Sequence, residues 1–222
     1  VHFRSDDGAK LAGRLFGAGR TGVILSHMGP QGNDQSQWWR LAADLADEGY
    51  LVLTYNYSGV CPRGPVLCST GTTSLAAPAP DLMGAIRFLG SRGADHLVLG
   101  GASMGAMASL KVAARPGVNV AAIVSLSGVR LPQTSYSLGQ STIRKIDEPK
   151  LFLAGKFDDE AARAARRWLA WAGAPKAGRI LDTGLHGTDM INLASGQDAD
   201  MPGIVKRSVF RFLAQYAPPG HA

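Results

Sequence analysis

The sequence is short of the features that mark several protein classes. Only two cysteines occur in 222 residues, Cys61 and Cys68. Their spacing is not the C-x-x-C of a redox dithiol. No set of further ligands stands beside them, which argues against a metal centre. Aromatic residues make up only 7% of the chain, and no basic stripe interleaved with aromatics appears, so a nucleic-acid role is not expected. No apolar run approaches the roughly 20 residues of a membrane-spanning helix. There is no phosphate-binding glycine loop of the G-x-x-x-x-G-K type, no internal repeat and no low-complexity block. A nucleotide, metal or other cofactor is therefore not expected.

What is present suits a globular chain. Hydrophobic residues reach 45%, enough for a sizeable core, and the length suits one domain over residues 1–222. The net charge of +6 is scattered along the chain. Its densest cluster, Arg163, Arg166 and Arg167, lies at helical spacing on an amphipathic segment with Trp168, Leu169 and Trp171, and reads as a solvated helix face. Cys61 and Cys68 flank Pro62, Gly64 and Pro65. They form either a small disulfide loop, which implies export, or two free thiols, which imply a cytoplasmic home. The start at Val1, without Met or a signal peptide, fits a trimmed mature chain.

Hydrophobic periodicity predicts alternating strands and helices. An opening hairpin turns at Asp7-Gly8. Strands follow at Gly22 to Ser26, Tyr50 to Tyr55, before Ser103, Val120 to Gly128, Lys150 to Gly155 and Gly178 to Gly184. Helices are predicted near Ser36 to Glu48, from Pro80 to before Gly93, after Gly105, from Glu160 to Ala172 and near Gly203 to Tyr216. This alternation predicts an α/β fold, a mostly parallel sheet with helices on both faces. Ligands in such folds collect at the C-terminal ends of strands. The polar residues there are His27, Tyr57, Ser103, Ser127, Asp158, Asp159 and His186.

Ser103 stands in G-x-S-x-G, Gly101 to Gly105, between a short apolar strand and a helix. Its neighbours are small enough for a sharp turn that lifts the hydroxyl above the sheet. A serine nucleophile needs a base, and His186 sits in a Gly-flanked loop after the last strand. His2, His96 and His221 lie at the termini or at the wrong strand end. The base needs an acid, and Asp158 and its neighbour Asp159 both lie just past the strand that ends at Gly155. Asp182 and Asp189 read as loop-capping residues.

The chain order Ser103, Asp158, His186 and the motifs "SHMGPQG", "GASMG", "LFLAGKFDD" and "GLHGTDM" resemble the alpha/beta-hydrolase superfamily, over nearly the whole chain. They are similar to its compact, dienelactone-hydrolase-like serine esterases. That resemblance implies a minimal cap, a Ser-His-Asp triad, and an oxyanion hole built from the N–H groups of Met104 and Gly29, with Met28 the alternative donor and Pro30 excluded. It implies a small-molecule ester substrate; the sequence leaves the oligomeric state open and is compatible with a monomer. A thioesterase or acyl-transferase would use the same triad, whereas a non-catalytic binding protein would be expected to have lost part of it. The connection from Val129 to Pro149 is too short for a large lid, which favours short acyl chains. Trp38, Trp39, Tyr57 and Tyr136 are candidates for the cleft wall.

Overall fold

The computed structural model describes residues 1–29, 32–62, 68–76, 78–130 and 137–220. Its centre is an eight-stranded sheet. The strands are β1 (His2–Arg4), β2 (Lys10–Phe16), β3 (Thr21–Ser26), β4 (Leu51–Tyr55), β5 (His96–Ala102), β6 (Ala122–Leu126), β7 (Lys150–Gly155) and β8 (Lys176–Leu181). Their spatial order is β1-β2-β4-β3-β5-β6-β7-β8. The opening hairpin is antiparallel, as is the β2–β4 pair, and all other neighbours are parallel.

Parallel strands need long crossovers, and helices supply them. They are α1 (Trp39–Asp47), α2 (Pro78–Gly90), α3 (Met104–Ala113), α4 (Gln140–Ile143), α5 (Asp159–Trp171), α6 (Asp189–Asn192) and α7 (Met201–Tyr216). Alternate residues of each strand face opposite sides. Ile24, Leu53, Leu99, Ile123 and Phe152 pack under α2, α3 and α5. Val23, Leu25, Val52, Val98 and Val124 pack under α1 and α7. Both faces are thereby covered, which is why the inner strands are predominantly apolar.

Several boundaries differ from the sequence expectation, among them β6, which is Ala122–Leu126 rather than Val120 to Gly128. The first turn of the Ser36 helix is a 3-10 turn, Gln35–Trp38, capped by the Asp34 carboxylate accepting from the Ser36 N–H at 2.7 Å. Helix α2 begins at Pro78 rather than Pro80. Strand β8 runs Lys176–Leu181, not Gly178 to Gly184, because it is an edge strand and half exposed, so its start carries no apolar signal. Among the described residues no helix is long and apolar enough to cross a membrane.

Strand order reverses around β3: from it the chain goes first to β4 on one side and then to β5 on the other. Such a reversal opens a crevice at the C-terminal strand ends. The register there aligns Ser26 with Gly101. The loop after β3 therefore begins beside the turn that carries Ser103.

Candidate active site

Ser103 sits between β5 and α3 with φ 50° and ψ −111°. An L-residue adopts that conformation only under constraint. The constraint is visible on both sides. The Ser103 N–H donates to the Leu126 carbonyl of β6 at 2.9 Å, and its own carbonyl accepts from Met107 N–H at 3.1 Å. The flanking glycines have no alternative. A Cβ on Gly101 would lie 2.2 Å from the Gly105 carbonyl carbon, and one on Gly105 would lie 2.2 Å from the Ser26 oxygen. The turn is possible only because backbone meets backbone there.

Beside it runs the loop His27-Met28-Gly29. Each of its three carbonyls accepts a hydrogen bond from a side chain. Tyr57 Oη donates to the His27 oxygen at 2.9 Å, His27 Nδ1 to the Met28 oxygen at 2.7 Å, and Asn33 Nδ2 to the Gly29 oxygen at 2.8 Å. The peptide planes are thus fixed through their oxygens. Among the described residues the N–H groups of Met28, Gly29 and Met104 have no acceptor. Met104 opens α3, where an N–H lacks an intrahelical partner and the helix dipole favours negative charge.

His27 is fully buried, and burial pushes its imidazole down to about 4. It is neutral, with the proton on Nδ1, since Nε2 accepts from the Tyr57 N–H at 3.3 Å. The sequence places His27 at this loop but does not disclose that it braces it.

Across the site, His186 Nδ1 donates to Asp158 Oδ2 at 2.6 Å. This bond raises the imidazole pKa above its ordinary 6.5, against an opposing effect of burial. It also leaves Nε2 as the ring's lone-pair nitrogen. Several contacts hold the pair. The N–H groups of Lys156 and Phe157 donate to the Leu181 and Thr183 carbonyls at the end of β8. A Cβ on Gly155 would meet the Thr183 oxygen at 2.8 Å, which explains the glycine three residues before Asp158. Gly187, with φ +54°, lies so close to Met28 and Ala102 that a Cβ there would sit 2.5 Å from Met28 Sδ and 3.3 Å from Ala102 Cβ. The His186 loop is thereby seated against both the β3 loop and the Ser103 turn.

The structure brings Asp158 and His186 into contact and sets Ser103, Met104, Met28 and Gly29 at the same strand ends. Among the described residues no hydrogen bond joins Ser103 to His186. Asp159 is exposed as the first residue of α5. Asp182 pairs with Lys156 at 3.3 Å, and Asp189 opens α6, its carboxyl raised by burial. No group of His, Cys, Asp and Glu suited to a metal occurs among the described residues. Cys61 and Cys68 are joined in a disulfide beyond β4; Gly64 and Pro65 lie outside the described residues.

The cleft-wall candidates need correction. Trp38 and Tyr57 are core residues, each 1% exposed, and their polar atoms bond inward, Trp38 Nε1 to the Ser26 oxygen at 3.0 Å. Trp39 is half-buried under the Arg14 guanidinium. Tyr136 lies outside the described residues. The large apolar group at the site is instead Phe157, 64% exposed and next to Asp158. A bulky residue between Lys156 and Asp158 in a loop was its only sequence signal.

Solved structures with this fold are numerous. A serine hydrolase of carbazole degradation superposes with a TM-score of 0.71 at 18% identity, covering 97% of this chain and 99% of that one. An esterase from Pyrococcus furiosus gives 0.72 at 18% identity over 97% and 89%. A monoacylglycerol lipase from Paleococcus ferrophilus gives 0.73 at 16% over 92% and 98%. At such identities these likenesses speak for the fold and not for the dienelactone-hydrolase-like branch. No curated protein matches the chain in sequence. The sequence profile of the alpha/beta hydrolase fold, however, matches residues 23–207, from within β3 to partway along α7, and the chain belongs to that family.

Proposed function

We propose that the protein is a serine hydrolase that cleaves carboxylic esters with short acyl chains, through Ser103, His186 and Asp158 and an acyl-enzyme intermediate. The observation that carries this reading is the 2.6 Å Asp158–His186 hydrogen bond at the strand ends that also hold the strained Ser103 turn.

His186 Nε2 takes the Ser103 hydroxyl proton as Oγ attacks the ester carbonyl. The oxyanion is received by the N–H of Met104 and that of Gly29 or Met28. Collapse expels the alcohol, which takes the proton from His186. Water then repeats the cycle on the acyl-enzyme and frees the acid. Asp158 holds the imidazole orientation and stabilises its cation. Substrate closes the distance between Ser103 and His186, since such hydrogen bonds are often long before it binds. The esterase and lipase names among the structural neighbours agree with ester chemistry. Short acyl chains are favoured by the connection from β6 to β7, whose described part holds one four-residue helix.

Fluorophosphonate labelling tests the nucleophile. Label should fall on Ser103 and vanish in Ser103→Ala, and label on Ser127 would overturn the assignment. Nitrophenyl esters of increasing chain length test the substrate class. kcat/KM should stop rising after a few carbons, because each further methylene gains about 0.8 kcal/mol only where there is wall to bury it.

A further inference from the structure

The arginine cluster that reads from sequence as a solvated helix face is joined by an arginine from another element. Glu160, Arg163, Ala164 and Arg167 form an i, i+3, i+4, i+7 stripe on α5. Arg130, from the segment after β6, lies over that stripe, and together they line an open cavity of about 210 Å³. Buried Ala164 is its small member, and Arg163 and Arg167 are exposed. Arg130 and Arg167 both stand over the Trp171 ring, at 5.9 and 5.8 Å from its centroid. The Trp171 ring thus lies near two of the guanidiniums that line the cavity, close enough for cation–π attraction to both.

Among the described residues none of the three arginines is paired with a carboxylate within 4 Å, Glu160 included. Residues 131–136 carry no Asp or Glu in sequence. Arg130 Nε is buried and has no acceptor among the described residues. A buried donor without a partner is costly, and gathered like charges repel. A multidentate oxyanion offsets both, and the planar fork of arginine suits phosphate oxygens.

We propose that this cavity binds the phosphate group of a small molecule, through Arg130, Arg163 and Arg167. The site lies on the helix that starts directly after Asp158, so the phosphate is either carried by the ester substrate or bound free beside it.

Inorganic phosphate is titrated while the arginine side-chain N–H resonances are followed, with sodium chloride at matched ionic strength as control. Saturable shifts specific to phosphate are expected, with affinity at least tenfold weaker in the Arg163→Gln/Arg167→Gln variant and in Arg130→Gln. Equal shifts with chloride, or unchanged affinity in the variants, overturn the proposal. This arm does not depend on the ester reading. A second arm, which rests on it, compares an uncharged short ester with one bearing a phosphate monoester. Loss of kcat/KM on the phosphorylated ester alone assigns the phosphate to the substrate. No loss on either, with binding intact, assigns it to a free ligand. Equal losses on both esters overturn the proposal, because the arginines would then act through the fold.

Discussion

Tyr57 holds His27 at two points. Its N–H donates to Nε2 at 3.3 Å and its hydroxyl to the His27 carbonyl at 2.9 Å, with ring centroids 4.1 Å apart. Through His27 Nδ1 this grip extends to the Met28 carbonyl. Donors that meet an oxyanion only in the transition state change kcat more than KM. Tyr57→Phe, which removes one of the two points, should lower kcat on a short ester several-fold with KM nearly unchanged. It should cost about 1 kcal/mol of stability. His27→Ala should cost more, about 10²-fold in kcat, the scale of a lost oxyanion donor. Steady-state kinetics beside urea unfolding separate the two effects. A raised KM at constant kcat would mean that the loop binds ground-state substrate instead.

Strain at Ser103 makes a second expectation. Its φ of 50° with ψ −111° is open to glycine and costly for any other residue. Ser103→Gly should therefore be more stable than Ser103→Ala by about 1–2 kcal/mol, the usual size of such backbone strain. Both variants should be inactive. For a chain of this length the difference appears as a melting-temperature gap of about 2–8 °C. Equal melting temperatures would show that the turn stores no strain.

Most of the scaffold was legible because it is written in short-range patterns. Buried parallel strands such as Lys150–Gly155 carry short apolar runs, here Leu151 to Ala154, and the Asp7-Gly8 turn declares the hairpin. The bounds of edge strand β8 are not legible because most of its residues are exposed or half-buried and its pairing with β7 is non-local. The same division runs through the site. Ser103, Asp158 and His186 follow strand ends and keep fixed spacings from glycines, so sequence alone could nominate them. The bracing of the loop after β3 could not be read. It depends on Tyr57, 30 residues from His27, and on Asn33, whose side chain returns to Gly29. Sequence offers Trp38 and Tyr57 as wall because an aromatic near a strand end looks alike whether it faces outward or, as here, bonds into the core.

With His186 as the proposed base, its raised pKa fixes the expected sign of the pH–rate profile. A general base works only when neutral, and the Asp158 hydrogen bond favours the cation. The acid limb of kcat/KM should therefore lie above the ordinary imidazole value of 6.5. Asp158→Asn should move the limb downward and lower kcat by about 10⁴-fold. Asp159→Asn, at an exposed position off the His186 ring, should leave both nearly unchanged. A limb that stays in place in Asp158→Asn would refute the assignment of the acid.

Two buried groups should oppose each other in the pH dependence of stability. Asp81 on α2 is fully buried, accepting from the Ser58 N–H at 2.8 Å and the Ser58 hydroxyl at 2.7 Å. Burial outweighs those bonds and pushes its carboxyl from 3.8 up to about 6. The folded state thus binds this proton more tightly than the unfolded state. The resulting stability is complete below 3.8 and is lost as pH rises through about 6. His27 runs the other way. Its imidazole falls from 6.5 to about 4, so its contribution is complete above 6.5 and is lost as pH falls toward 4. Each displacement is worth about 3 kcal/mol. Between these limits the two offset one another, and the variants uncouple them. Asp81→Asn mimics the protonated carboxyl, so relative to the parent it should gain about 3 kcal/mol between about pH 4 and pH 7. Urea unfolding across that range measures the difference. A gap between variant and parent that does not change with pH would mean that Asp81 titrates alike in the folded and unfolded chain, and that its burial is relieved by water.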